Sequence, residues 1–509
     1  MMHNTTMQKT RMYGLYLLVL MHTTSPARAN DDTNLLHAVT DLEPNMMNAM
    51  IEVRAARIEA DRFLPWRNSV PRWHTGYGVA VQPGVFLTSE TLIRNHTAIQ
   101  IRRPGSVQPI PAEVVRADPR VGLALIRAHE ENWFPEATPL TVLDSIPPNG
   151  DFVIAQWGAN DHMQTGIANL LSIGFETIGE GIPPQLTYEL ASPLRVSQTG
   201  TPILYAGKLA GLAMQFEAGR RAALIVSPDS ISRFLAAAAQ ESYTGVPEPD
   251  FQAIPLADPV HRRFLGVPDS FADRGIYIHT VAHANIPQHD LQINDVLLRW
   301  DGHELDASGN YEHPDYGRIP FAHLVAQRAA DDHVEATIVR NKTVQTIEVR
   351  LRANAEVFEP IPENAIGQPD DYIVAAGLVF RELTLDFLRA HGDRWQRRAD
   401  IDLTWHAYAA ETNETHQRTV ILVAVLADPI NIGYRDVRNQ IVQRVNGHAI
   451  AHLSDLADRL DQEGFRSVTF ASMPSVPLVF EPQQVEQADQ RIQQRFQIPA
   501  LRRLSQPQR

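Results

Sequence analysis

The segment that decides the fold runs from Gly76 to Thr88 and reads GYGVAVQPGVFLT. It contains two short apolar runs, at residues 79–81 and 86–88, with proline and glycine between them. Short runs of apolar and β-branched residues bounded by Gly, Pro or Asp are typical of β-strands. The same pattern of short apolar runs continues to about Phe234, with further runs at residues 98–101, 123–126 and 152–154. Strands this short and this frequent predict β-barrels.

The composition is that of a multidomain globular protein. The chain has 509 residues, and at roughly 100–200 residues per domain it holds several domains. Hydrophobic residues make up 44% and charged residues 20%, close to the globular average, which argues against extensive disorder. A formal net charge of −14 disfavours a phosphate-binding surface, so we expect no nucleic-acid partner. Cysteine is absent, which excludes thiol nucleophiles, thiolate metal sites and disulfides.

The first 29 residues have the layout of a secretory signal peptide. Lys9 and Arg11 precede an apolar run at residues 13–21, and Ala27-Arg28-Ala29 forms a small-x-small cleavage signal. The run is too short to cross a membrane, since a spanning helix needs about 20 apolar residues. We therefore expect an exported protein, with the periplasm as its destination and no integral membrane segment in the mature chain.

The rest of the chain divides into segments of different texture. Residues 31–62 show apolar residues at helical spacing, so residues 30–75 are interpreted as a lead-in of helix or strand. Ser227 as N-cap and Pro228 at the first helical position predict a helix over 227–240, which closes a domain at 76–242. A proline-rich connector and two stretches of mixed composition follow. They predict modules at 243–355 and 370–481 and a tail at 482–509.

Several segments resemble landmarks of the HtrA/Deg family of trypsin-like serine proteases. The stretch from Gly76 to Thr88 is similar to the strand that opens the family's protease domain. Residues 117–126 resemble its Asp-Pro-x-x-Asp-Leu-Ala-Leu strand, and residues 197–204 its Gly-Asn-Ser-Gly-Gly-Pro-Leu loop. The segments that resemble the far PDZ-like region of the Deg subgroup of plants and bacteria are residues 372–380, 431–434, 445–447 and 496–499. The resemblance covers roughly residues 53–504.

The resemblance implies a mostly β fold with α+β modules, namely a trypsin-like double β-barrel followed by two PDZ-like domains. It also assigns the catalytic triad to three positions, and none of them holds the family's residue. The histidine position is Thr91, the aspartate position is Gly122 and the nucleophile position is Thr199. A hydroxyl nucleophile needs an imidazole that accepts its proton and a carboxylate that orients the imidazole. We therefore expect no catalytic residues in this chain.

Two further features bear on that expectation. Ser197 and Thr201 stand where the family has glycines, so we expect a strained positive-φ backbone in the loop that forms the oxyanion hole. His96 and Asp118 lie near the triad positions, and an active endopeptidase with such relocated catalytic groups is the alternative. His96 is more simply explained as an exposed residue at a strand entrance, and Asp118 as a turn residue.

Binding is the activity that does not need a triad. PDZ domains add an extended peptide to a sheet edge, and a loop of backbone N–H groups holds the terminal carboxylate. Tyr243, Thr244, Gly245 and Val246 resemble that loop and are the candidate peptide-binding residues. The sequence indicates no metal site and no cofactor, because its histidines do not form a helical metal-ligand pattern beside an acid.

Together these features predict an exported pseudoprotease that binds unfolded or C-terminally exposed polypeptides. Envelope protein quality control, or regulation of a catalytically active relative, is the expected setting. The resemblance also implies a homo-oligomer. A purely structural assembly subunit is the remaining interpretation.

Overall fold

The computed structural model of the chain describes residues 48–505 apart from residues 148–149, 158–161, 180, 193, 195–197, 218, 220, 242, 244, 248, 282–289, 353–360, 363–369, 393 and 410–417. The predicted signal peptide, residues 1–29, therefore lies outside the described residues. Within the described residues, the helices are all too short or too polar to cross a membrane.

The first closed barrel consists of six antiparallel strands, which are β1 (Met50–Arg57), β2 (Arg72–Gln82), β3 (Val85–Ser89), β4 (His96–Arg102), β5 (Ile110–Asp118) and β6 (Leu123–Ala128). Their order around the barrel is β1-β2-β3-β6-β5-β4. The barrel begins at Met50, inside the segment interpreted as a lead-in, because β1 pairs with both β2 and β4 and closes the cylinder. A four-residue helix, α1 (Glu90–Ile93), follows β3.

The second closed barrel also has six antiparallel strands, which are β7 (Asp151–Trp157), β8 (Met163–Glu176), β9 (Gln185–Ala191), β10 (Thr201–Tyr205), β11 (Lys208–Glu217) and β12 (Ala222–Val226). Their order is β10-β11-β12-β9-β8-β7. One cluster of buried side chains contains both Leu87 of the first barrel and Leu212 of the second, so the two barrels share a core. The predicted double β-barrel is thereby confirmed.

The predicted closing helix is present as α2 (Pro228–Ala238). Ser227 is its N-cap, and the Ser227 Oγ atom accepts a hydrogen bond from the Ser230 N–H at 3.1 Å. Pro228 occupies the first turn, where a missing N–H leaves no hydrogen bond unmade. The capping signals in the sequence therefore fixed where this helix begins.

The next module is an antiparallel sheet with two short helices. Its elements are β13 (Phe251–Pro255), α3 (Pro259–Leu265), β14 (Ile276–Val281), β15 (Val296–Trp300), β16 (His303–Glu304), β17 (Asn310–His313), β18 (Gly317–Pro320), α4 (Ala322–Ala326), β19 (His333–Arg340) and β20 (Thr343–Arg350). The main sheet has the order β13-β14-β15-β19-β20, and β17 and β18 form a separate hairpin. Tyr316 of that hairpin lies with its ring centroid 6.2 Å from Tyr188 of β9, so the module rests on the second barrel.

The described residues of the C-terminal module form eight strands and five α-helices. They are β21 (Tyr372–Ala375), β22 (Leu378–Glu382), α5 (Leu385–Arg389), α6 (Trp395–Arg398), α7 (Ile401–Ala409), β23 (Val420–Val425), β24 (Gln440–Val445), β25 (His448–Ala449), α8 (Leu453–Glu463), β26 (Ser467–Phe470), β27 (Met473–Val479), α9 (Pro482–Phe496) and β28 (Arg502–Arg503). The segment described above as a tail at 482–509 contains α9 and β28. β28 pairs with β21, and α9 buries Ala488 and Ile492 completely.

The loop between β1 and β2 leaves the first barrel and contacts the C-terminal module. Arg62 Nη1 lies 2.9 Å from Asp370 Oδ1, and Arg381 Nη1 lies 3.2 Å from Asp370 Oδ2. The buried ring of Trp66 packs on Tyr372, with ring centroids 5.6 Å apart. The first barrel and the last module are therefore in direct contact, although they are far apart in sequence.

Candidate functional site

Thr199, at the nucleophile position, lies in the turn before β10. Its carbonyl oxygen accepts a hydrogen bond from the Tyr77 N–H at 3.1 Å, and the next residue, Gly200, has a φ of +78°. A Cβ atom at Gly200 would lie 2.3 Å from the Tyr77 carbonyl oxygen, so only glycine fits this turn. The Thr199 Oγ1 atom is buried and has no hydrogen-bond partner among the described residues. Within this part of the chain, no group is in place to take its proton.

Thr91, at the histidine position, lies in α1 of the first barrel. Its hydroxyl shares a hydrogen bond of 2.7 Å with Ser89 Oγ, and its carbonyl oxygen accepts one from Arg57 Nη1 at 2.8 Å. An alcohol does not titrate near neutral pH, unlike an imidazole. Thr91 therefore cannot act as the general base of an acyl-transfer reaction.

The aspartate position, Gly122, has no room for a side chain. Gly122 has a φ of +76°, and its carbonyl oxygen accepts a hydrogen bond from the Glu90 N–H at 2.8 Å. A Cβ atom there would lie 2.5 Å from Ile182 Cδ1 and 3.2 Å from Met214 Cε. Ile182 is only 2% exposed, so a side chain at position 122 would have to displace a packed residue. An apolar side chain thus occupies the place where a carboxylate would orient an imidazole.

The two residues considered for a relocated dyad are engaged elsewhere. His96 is exposed at the first position of β4, and its Nδ1 atom shares a hydrogen bond of 2.8 Å with the Ile93 carbonyl oxygen. Asp118 is buried, and its Oδ1 atom accepts hydrogen bonds from the N–H groups of Arg120 at 2.8 Å and Val121 at 3.3 Å. These are the contacts of a strand-entrance residue and of a turn acceptor, respectively.

The loop next to Thr199 differs from the sequence-based expectation. Ser197 lies outside the described residues. Thr201 is the first residue of β10, and its Oγ1 atom donates a hydrogen bond to the Gln198 carbonyl oxygen at 2.7 Å. The expectation of a positive φ at Thr201 was wrong, because Gly200 adopts the positive φ and Thr201 is already in the strand.

The candidate peptide-binding residues lie against the double barrel. The Tyr243 hydroxyl donates a hydrogen bond to Asp118 Oδ2, and the Tyr243 ring faces the Arg116 guanidinium at 5.4 Å. Burial, together with the neighbouring Asp118 carboxylate, raises the pKa of Tyr243. Gly245 has a φ of +81°, and Val246 packs on the core shared by the barrels. Thr244 lies outside the described residues, and peptide binding by this segment stays a prediction.

Comparison with known proteins shows which proteins this chain is similar to. The sequence profile of the PDZ domain matches residues 361–504. Protease Do-like 2, chloroplastic, from Arabidopsis thaliana is 24% identical over 469 residues, which are 90% of this chain and 75% of that protein. Protease Do-like 4, mitochondrial, from the same plant is 22% identical over 424 residues, covering 82% of this chain and 77% of that protein. The chain is a Deg/HtrA-like protein with a PDZ domain.

Solved structures are similar to part of this Deg/HtrA-like protein. The HtrA-type protease AlgW with a decapeptide is 14% identical, with a TM-score of 0.45, and the match covers 60% of this chain and 95% of that one. The serine endoprotease from Yersinia pestis is 12% identical, with a TM-score of 0.42 over 60% of this chain and 94% of that one.

Metal-ligating side chains do not cluster in the described part of this Deg/HtrA-like protein. That part contains no group of three or more His, Asp or Glu side chains arranged to hold a metal ion. His261 contacts the ring of Tyr277, with centroids 5.2 Å apart, and His279 Nδ1 shares a hydrogen bond of 2.8 Å with Thr280 Oγ1.

Sequence reasoning missed two features of the Deg/HtrA-like site. One is Ile182, which fills the space beside Gly122, and the other is the hydrogen bond between Tyr243 and Asp118. A signal for the first was available, since Ile178 and Ile182 are isolated apolar residues in a segment rich in Gly and Pro. Both are buried at 2% exposure, which is rare for loop residues unless they fill a defined space. The contact between residues 118 and 243 had no local signal.

Proposed function

We propose that this Deg/HtrA-like protein binds polypeptides and does not cleave them. The observation that carries the proposal is the state of the Thr199 hydroxyl, which is buried without a hydrogen-bond partner in the described part of the chain. Cleavage by an alcohol requires an adjacent base, and the Thr91 hydroxyl that stands at the histidine position is hydrogen-bonded to Ser89.

The PDZ-like modules supply the proposed binding surface. An edge strand presents alternate N–H and C=O groups that can pair with an extended peptide. In the first module, β13 and β20 lie at the two ends of the sheet order. β20 contains no proline and is largely exposed, whereas β27 at the edge of the C-terminal sheet contains Pro474 and Pro477, which cannot donate. We favour the β20 edge of the first module for unfolded or C-terminally exposed polypeptides, since β13 at the other edge ends in Pro255.

The proposed setting is outside the cytoplasm. The signal-like segment at residues 1–29 supports export, and the periplasm is the expected destination. Quality control of envelope proteins, or regulation of an active relative, would use a scaffold that retains binding. Homo-oligomerisation is part of the proposal and is measured by light scattering of the purified mature chain.

The test combines a cleavage assay and a binding assay on the purified mature chain. With unfolded casein as the probe, we expect no cleavage above the protein-free background and a measurable rise in casein fluorescence anisotropy. Thr199→Ala should leave both readings unchanged.

Two outcomes would overturn the proposal. Cleavage that disappears in Thr199→Ala would establish an endopeptidase with relocated groups. A failure to bind unfolded casein, or any member of a library of C-terminal peptides, would favour a structural assembly subunit.

A further inference from the structure

A partly enclosed cavity lies where the second barrel meets the first PDZ-like module. Its volume is about 240 Å³, far above the roughly 10–15 Å³ that one water needs by the same measure. The cavity is bounded by the turn before β6, by residues near β9, by α2, by α4 and by three connector residues, Val246, Pro247 and Pro249. It is separate from the turn that holds Thr199, and no residue of the triad positions lines it.

Most of the cavity wall is apolar. The apolar residues on the wall include Phe175, Pro184, Leu186, Val246, Ala322 and Ala326. Two polar side chains on the wall already have partners. Gln185 Nε2 donates to the Val121 carbonyl oxygen at 3.2 Å, and His323 Nδ1 shares a hydrogen bond of 2.6 Å with the Tyr311 hydroxyl. The first bond joins the two barrels and the second lies within the PDZ-like module, so neither side chain calls for a ligand.

Arg233 is the exception on this wall. This half-buried residue of α2 lines the cavity, and it has no ion pair or hydrogen bond among the described residues. Asp229, one helical turn earlier, accepts a hydrogen bond from the Tyr316 hydroxyl at 3.3 Å and forms no ion pair with Arg233. Burial lowers the pKa of Arg233, and Asp229 only partly opposes this effect. A partly buried cation without a paired anion is costly, and a bound anion would offset that cost.

We propose that the cavity binds a small apolar carboxylate, whose anionic end pairs with the Arg233 guanidinium. A guanidinium matches a carboxylate through two parallel hydrogen bonds, and the apolar wall would cover a short hydrocarbon or aromatic group. The cavity is smaller than the roughly 300–1,000 Å³ of sites for larger ligands, so it suits one apolar group and not an extended peptide. Arg120 also lines the cavity.

The ligand chemistry has two sources, a free acid and the last residue of a polypeptide. Calorimetric titration of the full mature chain with 3-phenylpropanoate and hexanoate tests the first source. A peptide that ends in phenylalanine, with a free carboxylate or a C-terminal amide, tests the second. We expect 3-phenylpropanoate to bind and 3-phenylpropanamide not to bind, because the amide lacks the charge. If the peptide with a free carboxylate displaces the acid and the amide peptide does not, the site binds chain ends. If neither peptide displaces the acid, the site binds free acids.

The matched variants are Arg233→Gln and Arg435→Gln, the latter at an exposed arginine of the C-terminal module. Arg233→Gln should weaken binding of 3-phenylpropanoate at least about tenfold, since hydrogen bonds between charged groups are among the strongest. Arg435→Gln should leave it unchanged. Ala326→Leu, which narrows the cavity, should also weaken binding without removing the charge.

Equal affinity in Arg233→Gln and the unaltered chain would overturn the proposal, as would binding of the amide or no binding of either acid. If Arg233→Gln does not fold, the acid and amide pair and Ala326→Leu still decide the question. The proposal is independent of polypeptide binding at the sheet edges, because the small acids probe the cavity alone.

Discussion

At position 122, the backbone and the packing both oppose the aspartate that a catalytic triad needs. An aspartate there would need a positive φ, which favours glycine, and would also need to displace Ile182. The turn that contains Gly122 is held by hydrogen bonds at both ends, to the Asp118 carbonyl oxygen and from the Glu90 N–H. Restoring a histidine and a serine at Thr91 and Thr199 would therefore still leave the imidazole without its carboxylate.

Gly122→Ala, compared with a matched control, measures how much stability a side chain at position 122 costs. Gly84 has a similar φ of +69°, and a Cβ atom there would have no neighbour within 4 Å. We expect Gly84→Ala to lower the free energy of unfolding by about 1–2 kcal/mol through backbone strain alone. Gly122→Ala should add a further loss of about 1–3 kcal/mol, because its Cβ overpacks against Ile182. Urea titration followed by tryptophan fluorescence gives both values, and equal losses would show that Ile182 yields freely.

The sequence was sufficient to identify the residues at the triad positions, but it did not predict which side chains pack around them. Thr91, Gly122 and Thr199 were located by segments of local sequence, and the chemistry of their side chains follows directly from their types. Ile182 lies about 60 residues from Gly122 in sequence, and its contact with that position arises only when the two barrels pack together. Local sequence does not encode such a contact.

At the scale of secondary structure, elements with explicit signals could be predicted and others could not. Ser227 and Pro228 predicted where α2 begins, because capping is a local interaction. β1 was hidden for another reason, because its short alternation of apolar and charged residues at 51–55 lies inside the longer stretch 31–62, whose apolar residues have helical spacing. The amphipathic stretch at 482–496 becomes a docked helix only because Ala488 and Ile492 find a partner in the C-terminal sheet.

Docking of α9 should depend on pH through Asp489. The Asp489 Oδ1 atom accepts a hydrogen bond from the Ala376 N–H at 2.7 Å, and burial raises the pKa of Asp489 to about 7. The folded chain therefore holds this proton at pH values where the unfolded chain has released it. The contribution of Asp489 to the free energy of unfolding is complete below about pH 4 and is lost as the pH rises to about 7.

Asp489→Asn keeps an oxygen that can accept the Ala376 hydrogen bond but cannot titrate. We expect this change to flatten the decline in stability between pH 4 and pH 7, as measured by thermal unfolding at several pH values. Asp458→Asn, at an exposed position of α8, is the control and should leave the decline unchanged. An unaltered pH profile in Asp489→Asn would assign the dependence to other groups.

At the scale of the whole molecule, a direct contact joins the first barrel to the last module. Asp370 lies at the centre of this contact, with a fully buried carboxylate between Arg62 and Arg381. Arg381 is itself 2% exposed and donates a further hydrogen bond to the Arg62 carbonyl oxygen at 2.7 Å. Such a network fixes how two modules face each other, since each buried charge is compensated only in one arrangement.

Asp370→Asn removes the shared anion and leaves the Arg381 guanidinium buried without it. Breaking a buried ion pair on one side typically costs about 3–5 kcal/mol, so we expect the C-terminal module to unfold and to be cut by protease at lower temperature. Asp371→Asn is the neighbouring control, because the hydrogen bonds that Asp371 accepts among the described residues come from Ser505 N–H and Oγ at 2.8 Å and not from an arginine. Its effect should stay below about 1 kcal/mol. If the two variants lower the unfolding temperature equally, the network does not hold the modules together, and the aromatic contact of Trp66 with Tyr372 would be the stronger link.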